Sequence, residues 1–251
     1  MSLDDFSIVL SSLSGLTDYI YLHVMGEPLT HPLLPSFISL ATSRGFKVAI
    51  TTNGTLLPSR GESILDSPLY KINISLHSFE EGERSTYLSY INGCLDFAAR
   101  SADAGILTIL RLWNKGYDNG RNIDTLSLIK EKFPEGENEW KYGDRGARIR
   151  HKLHLEYGER FAWPDMSCDD MGEQVFCYGL GDHFGILSDG RVIPCCLDRE
   201  GEITLGNILE GDNLAEILAS DRAEKIRQGF LARCAVEDLC HRCGYARRFK
   251  V

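Results

Sequence analysis

Strand-like and helix-like segments alternate through the first 113 residues, and this rhythm constrains the fold more than any other feature of the sequence. Residues 19–25, 46–51, 70–76 and 106–113 are short runs rich in β-branched and aromatic side chains, which suit a pleated, half-buried surface. Between them lie 33–44, 56–65 and 83–104. In the last of these Tyr87, Ile91, Leu95 and Ala98 recur at helical spacing, and Gly105 follows as a terminator. Strand, helix, strand, helix at this pace predicts a parallel sheet or barrel with crossover helices. The chain opens on a helix-like stretch, Leu3–Leu13, with no strand before it, which such an architecture does not predict.

The texture then changes. Residues 134–146 are polar and broken by glycine and proline, so a loop is expected there, with a further strand near 150–156. Residues 184–188 and 191–196 flank Asp189-Gly190, the signature of a two-residue hairpin. A helix is expected from Asn213, with Leu214, Ile217 and Leu218 on one face, and Asp221 with Glu224 fits a capping box for a second. Apolar content is thin in this part, so a metal staple makes physical sense. The expected domains are residues 1–160 and 174–251.

The chain of 251 residues carries a formal charge of −9, which argues against a partner bound through nucleic-acid phosphates. No apolar run reaches the roughly 18 residues of a membrane span, and the acidic start does not resemble a signal peptide. A cytoplasmic protein without a membrane partner is expected. Seven of the eight cysteines fall between Cys168 and Cys243. In a reducing compartment such crowding points to metal or redox chemistry rather than disulfides. Cys177 and Cys195 bracket the hairpin, and Cys240-x2-Cys243 has the spacing of two thiolates that bite one centre; four sulfurs suffice for zinc or an iron–sulfur cluster. Cys168, Cys196 and Cys234 fit no second set of four and read as supporting residues, with Cys196 on the opposite strand face from Cys195. Cys94, on a helix face, reads as core.

At the ends of successive strands stand Met25-Gly26-Glu27-Pro28, Thr51-Thr52-Asn53-Gly54, Ser75-Leu76-His77-Ser78 and Arg111-Leu112-Trp113-Asn114. Parallel β/α folds place ligand sites there. Gly26 lets a ligand approach the backbone, and Glu27 can take an ammonium group. Ser75 and His77 alternate onto one strand face and can bond hydroxyls, while Arg111 offers a fork for a carboxylate. Together they describe a site for a zwitterionic amino acid carrying a ribose.

On these residues the chain resembles the radical S-adenosylmethionine (SAM) enzymes that carry a C-terminal SPASM or twitch domain. Met25–Pro28 is similar to the family's GGEP motif, with Met25 in place of the first glycine, and Thr52-Asn53-Gly54 to its TNG segment. Cys177, Gly190-x4-Cys195 and Cys240-x2-Cys243 are similar to the ligands of one auxiliary [4Fe–4S] cluster, and Gly206-Asn207-Ile208-Leu209 before a helix is similar to the same domains. The resemblance covers about residues 18–114 and 174–248. It implies a partial (β/α)6 TIM-like barrel followed by a small α+β domain. It further implies SAM contacts at Gly26, Glu27, Asn53, Ser75, His77 and Arg111, and cluster ligation by Cys177, Cys195, Cys240 and Cys243. A 5′-deoxyadenosyl radical acting on a peptide or small molecule, and an external electron donor such as flavodoxin or ferredoxin, belong to the same implication.

The family's C-x3-C-x2-C motif, which holds a second [4Fe–4S] cluster against SAM, is absent, and no cysteine precedes Cys94. Leu3–Leu13 stands where the first crossover helix would. The expectation is therefore an N-terminally truncated enzyme whose barrel lacks its first strand and which is inactive alone. A catalytically silent binding or adaptor protein and a zinc-stapled structural module are the alternatives.

Overall fold

The computed structural model describes residues 1–79, 83–118, 120–134 and 140–249. They form two compact units. One comprises Thr17–His23 and Glu27–Arg160; the other comprises Met1–Leu16, Val24–Gly26 and the residues from Phe161 onward. Helix α1 (Leu3–Leu13) opens on a capping box: the Ser2 hydroxyl accepts from the Asp5 amide at 3.0 Å, and the Asp5 carboxylate accepts from the Ser2 amide at 2.9 Å. It buries Phe6, Val9, Leu10 and Leu13 and packs on the 3-10 turn Ile208–Glu210. The expected first crossover helix thus groups with the C-terminal residues.

The first unit is a seven-stranded sheet. In chain order it contains β1 (Tyr19–Tyr21), α2 (Leu34–Ser43), β2 (Lys47–Thr52), α3 (Leu57–Leu65), β3 (Lys71–Ser75), α4 (Arg84–Asp103), β4 (Leu107–Lys115) and α5 (Arg121–Lys132). β5 (Lys141–Gly143), β6 (Gly146–Arg150) and β7 (Leu153–Glu159) follow. The order is β1-β2-β3-β4-β7-β6-β5, parallel from β1 through β4 to β7 and antiparallel across β7-β6-β5. Side chains alternate between the faces, so the two faces differ. One is apolar and wholly buried, through Ile50, Ile72, Ile74, Leu110 and Leu153, with α2 and α4 packed on its strands. α4 adds Tyr87, Ile91 and Leu95, each worth about 1.5–3 kcal/mol when fully buried. The other face carries Lys71, Asn73, Ser75, Arg111, His154 and Glu156.

Three expectations change here. β1 stops at Tyr21, because the chain turns away toward Gly26 in a left-handed conformation (φ 98°) and then Pro28. The expected loop at 134–146 contains β5, which pairs with β6 through Tyr142 and Ala147; residues 135–139 of it lie outside the described residues. α5, which the pattern did not mark, buries only Thr125 and Ile129 and so carries a weak apolar stripe.

In the second unit β8 (Gly185–Ile186), β9 (Arg191–Ile193) and β10 (Gly206–Asn207) form an antiparallel sheet in the order β10-β9-β8. The hairpin closes through a three-residue loop rather than the expected two. Leu187 donates to the Arg191 carbonyl, and Gly190, left-handed at φ 90°, donates to the Leu187 carbonyl at 3.0 Å. A side chain on Gly190 would strike Asn207 and Leu209, so only glycine fits. α6 (Leu214–Leu218) begins where expected and is capped by Asn213, whose side chain accepts from the Ala215 and Glu216 amides. α7 (Asp221–Leu231) is capped by Ser220, whose hydroxyl accepts from Ala223, and not by Asp221. α8 (Asp238–His241) completes the unit over a core of Val175, Ile203, Ile226, Phe230 and Leu239.

Candidate functional site

In the first unit the strand-end residues form one connected network. Glu27 caps a 3-10 turn at Pro28–Thr30: its Oε1 accepts from the Leu29 amide at 3.0 Å and from the Thr52 hydroxyl at 2.7 Å. Its Oε2 accepts from the Asn53 amide at 2.7 Å, so one carboxylate clasps the segment after β1 to the end of β2. Thr52 Oγ1 also accepts from the Gly54 amide, and Asn53 Oδ1 accepts from the Thr55 amide and hydroxyl. From the helix side Tyr90 of α4 donates to the Asn53 carbonyl at 2.6 Å and reaches the Ser75 carbonyl at 3.0 Å. Gly54 is left-handed at φ 80°, and a Cβ there would stand 2.5 Å from Cys94 Sγ. Sequence reasoning missed Tyr90, because it sits on the same helix face as ordinary core residues.

Ser75 and Arg111 are register partners on β3 and β4. Arg111 is far from exposed: its guanidinium lies 4.5 Å over the Trp113 ring, and Nε stands 3.4 Å from Glu156 Oε2 on β7. Glu156 was not expected; its signal is strand alternation opposite Arg111. His77 departs from the expectation that it shares a strand face with Ser75. β3 ends at Ser75, and His77 lies in the 3-10 turn Leu76–Phe79. Its Nδ1 stands 3.2 Å from the Arg111 carbonyl and 3.3 Å from the Trp113 amide. Burial, and the charge of Arg111, hold its pKa below the usual histidine range. His23 is held neutral for the same two reasons, with a pKa near 4. Hydrogen bonds thus join Glu27 to Asn53 and, through Tyr90, Asn53 to Ser75, while register and the contact of His77 with the Arg111 carbonyl join Ser75, Arg111 and His77; Gly26 groups with the second unit.

In the second unit the cysteines gather against the apolar core. Cys240 lies on α8 and Cys243 just after it, Cys195 follows β9, and Cys177 precedes the hairpin; all four touch the same cluster of buried side chains. Burial raises the pKa of each thiol, Cys195 to about 12, and the neighbouring thiols add to the rise at Cys177, Cys195 and Cys240. Backbone amides oppose it: those of Gly179 and Tyr178 at Cys177, Leu197 at Cys195, and Tyr245 and Ala246 at Cys243. The Gly179 amide donates to Cys177 Sγ at 3.4 Å. Four mutually close thiols that burial keeps neutral, with amides aimed at three of them, suit a cationic centre whose charge would ionise them. In kind, four thiols, the donor set matches four-cysteine ligation. Among the described residues no group of three or more His, Cys, Asp or Glu side chains is placed so that it could hold a metal ion.

Cys196 does not point away from this set. The strand ends at Ile193, so strand alternation no longer applies, and Cys196 packs on the same core with its thiol near Cys243. Cys168 lends its carbonyl to Arg242, and Cys234 donates to the Ala235 carbonyl. Cys94 is buried, its pKa pushed up to about 12 by burial, as a core thiol should be. All eight cysteines are free thiols.

Comparison with known proteins bears on both regions. Residues 177–244 match the SPASM family, an iron–sulfur cluster-binding domain. The chain is 30% identical over 233 residues to a GTP 3′,8-cyclase of Alkaliphilus oremlandii, an alignment covering 78% of this chain and 71% of that protein. It is 23% identical over 235 residues to a probable GTP 3′,8-cyclase of Sulfolobus acidocaldarius, covering 82% and 73%. In fold it is similar to BtrN in complex with AdoMet and 2-DOIA, at TM-score 0.56 and 18% identity over 97% of this chain and 80% of that one. An open conformation of BtrN gives TM-score 0.53 at 17% identity, over 97% and 79%. No helix among the described residues is long and apolar enough to cross a membrane. By this kinship the chain belongs to the radical SAM enzymes with a SPASM domain.

Proposed function

We propose that this chain binds SAM at the strand ends of its first unit and an auxiliary [4Fe–4S] cluster in its second, as part of a radical SAM enzyme acting on a small molecule. In this reading the first unit is a (β/α)6-type barrel short of its first strand. Gly26 and Glu27 meet the SAM ammonium group, Ser75 and His77 its ribose with Asn53 beside them, and Arg111 its carboxylate. Cys177, Cys195, Cys240 and Cys243 hold the auxiliary cluster, which when bound offers an iron site for the substrate or takes up its electron. The observation that carries the reading is the four-thiol set gathered against the core of the second unit, which lies within the segment matching the SPASM family. GTP in the name of the cyclases and 2-DOIA in the BtrN complex favour a small molecule over a peptide.

The residues present do not fit the SAM-cleaving cluster. The sequence contains no C-x3-C-x2-C, and no step through that cluster is assigned to this chain. That cysteine inventory also favours a second reading, a catalytically silent binding or adaptor protein with a four-cysteine site for iron–sulfur or zinc. In the first reading a flavodoxin- or ferredoxin-like donor supplies electrons; in the second none is needed.

Anaerobic reconstitution followed by titration with S-adenosylhomocysteine tests both halves. The first reading expects a brown protein with iron bound at the four cysteines, and nucleoside affinity that falls in Ser75→Ala and Arg111→Gln. A colourless zinc protein that ignores S-adenosylhomocysteine overturns it.

A further inference from the structure

We propose that His23, Thr51 and Asn73 form a subsite on the polar face of the sheet that binds hydroxyl or amino groups of the substrate, which is therefore a polyol, amino-polyol or sugar-bearing molecule. The inference deepens the function proposed above and rests on it, since it takes that face to be the ligand side.

Register places Thr51 and Asn73 side by side, with His23 just beyond the paired residues of β1. Tyr21 of β1 pairs with Ala49, the Leu22 amide still donates to the Ala49 carbonyl at 2.9 Å, and His23 follows just past the end of β1, close enough to Arg111 for that charge to lower its pKa. Thr51 in turn pairs with Asn73. Two-residue alternation puts Thr51 and Asn73 on the face that also carries Ser75 and Arg111, one layer nearer the strand starts, and the influence of Arg111 on His23 puts that ring on the same side.

The row holds hydrogen-bonding capacity that the chain leaves unused. Asn73 is fully buried; its amide nitrogen donates to Thr51 Oγ1 at 3.0 Å and reaches the Ile50 carbonyl at 3.4 Å. Its Oδ1 has no partner, and neither has the buried Nδ1 of His23. An orphaned buried polar atom costs about 1–3 kcal/mol, and native structures keep few of them. The same row continues to Ile109, so an aliphatic side chain is acceptable in this layer, and the unmet amide oxygen of Asn73 is a cost that packing does not explain.

Chemistry narrows the occupant. The imidazole of His23 is neutral, so its Nδ1 either accepts or donates. Thr51 Oγ1 accepts from Asn73 and keeps its own proton to give, and Asn73 Oδ1 only accepts. A hydroxyl both donates and accepts, and an amine donates; a carboxylate or phosphate laid on this row would oppose the Asn73 oxygen. Neighbouring hydroxyls therefore satisfy all three positions where an anion fails.

The 251-residue chain is titrated with myo-inositol and with glucosamine, following heat in a calorimeter and the His23 imidazole nitrogens by NMR. The wild type is expected to bind at millimolar concentration with a shift of the His23 signal. Asn73→Leu and Thr51→Val, either of which suffices if the other does not fold, should each weaken binding about two- to tenfold, one hydrogen bond's worth. S-adenosylhomocysteine affinity should not change in them. No binding by the wild type at tens of millimolar, or equal affinity in both variants, overturns the subsite. So does loss of S-adenosylhomocysteine binding in the variants with inositol binding intact, which would give the row to the cofactor. If the wild type binds neither probe nor S-adenosylhomocysteine, it is the broader functional reading that falls.

Discussion

Glu27→Gln isolates one strand of the clasp between the segment after β1 and the end of β2. Glutamine keeps an oxygen where Oε1 accepts from Leu29 and Thr52, so those two bonds can persist. At Oε2 an amide nitrogen would replace an acceptor and face the Asn53 N–H donor to donor, at the 2.7 Å now spanned by a charge-assisted bond. Such bonds are worth about 1.5–3 kcal/mol, so local opening at Asn53 should become easier by roughly that amount. In amide hydrogen exchange this is an acceleration of about 10- to 150-fold at Asn53. Leu29 should change much less. Glu27→Ala removes all three bonds and should free Leu29, Asn53 and the Thr52 hydroxyl together. Affinity for S-adenosylhomocysteine should fall in both variants, because the same carboxylate is assigned to the ligand's ammonium group. Unchanged exchange at Asn53 in Glu27→Gln would refute the clasp. Accelerated exchange with unchanged nucleoside affinity would leave Glu27 as a purely structural residue.

Three further outcomes follow from the same contacts. Anaerobically reconstituted chain should hold four irons, by analogy with the four-thiolate cubane centres; Cys240→Ser should lower that number and loosen the second unit, and full iron content in Cys177→Ser/Cys240→Ser would count against the assignment. Under reducing conditions the 251-residue chain should leave SAM intact, and release of 5′-deoxyadenosine by it would contradict the cysteine inventory. His23 carries a pKa lowered from 6.5 to about 4, by burial first and Arg111 second. The unfolded imidazole therefore takes its proton first as pH falls. The stabilisation is complete above pH ~6.5, is lost progressively down to pH ~4, and amounts to about 3 kcal/mol. An NMR titration that finds the His23 ring protonating near 6.5, or a pH dependence of unfolding unchanged in His23→Gln, would refute it.

What the sequence by itself determined is what neighbouring residues determine. Alternation of β-branched runs with helical stripes produced four parallel strands and the helices between them, since period and turn chemistry act over a few residues. The spacing of Cys177, Cys195, Cys240 and Cys243 pointed to one centre, and the four thiols gather against one core. The tertiary structure decided the rest. Tyr90 reads as core in the sequence, and becomes a pin only when packing lays α4 under the ends of β2 and β3. Arg111 meets Glu156 because β7 inserts beside β4 after the β5–β6 hairpin, an order that no local pattern encodes. His77 looked like a strand residue until β3 ended two residues earlier, and α1 looked like a crossover helix until it grouped with the turn at Ile208–Glu210. Each of these joins residues far apart along the chain. Such contacts depend on register and on which apolar faces win the competition for burial, and that competition is settled only by the folded whole.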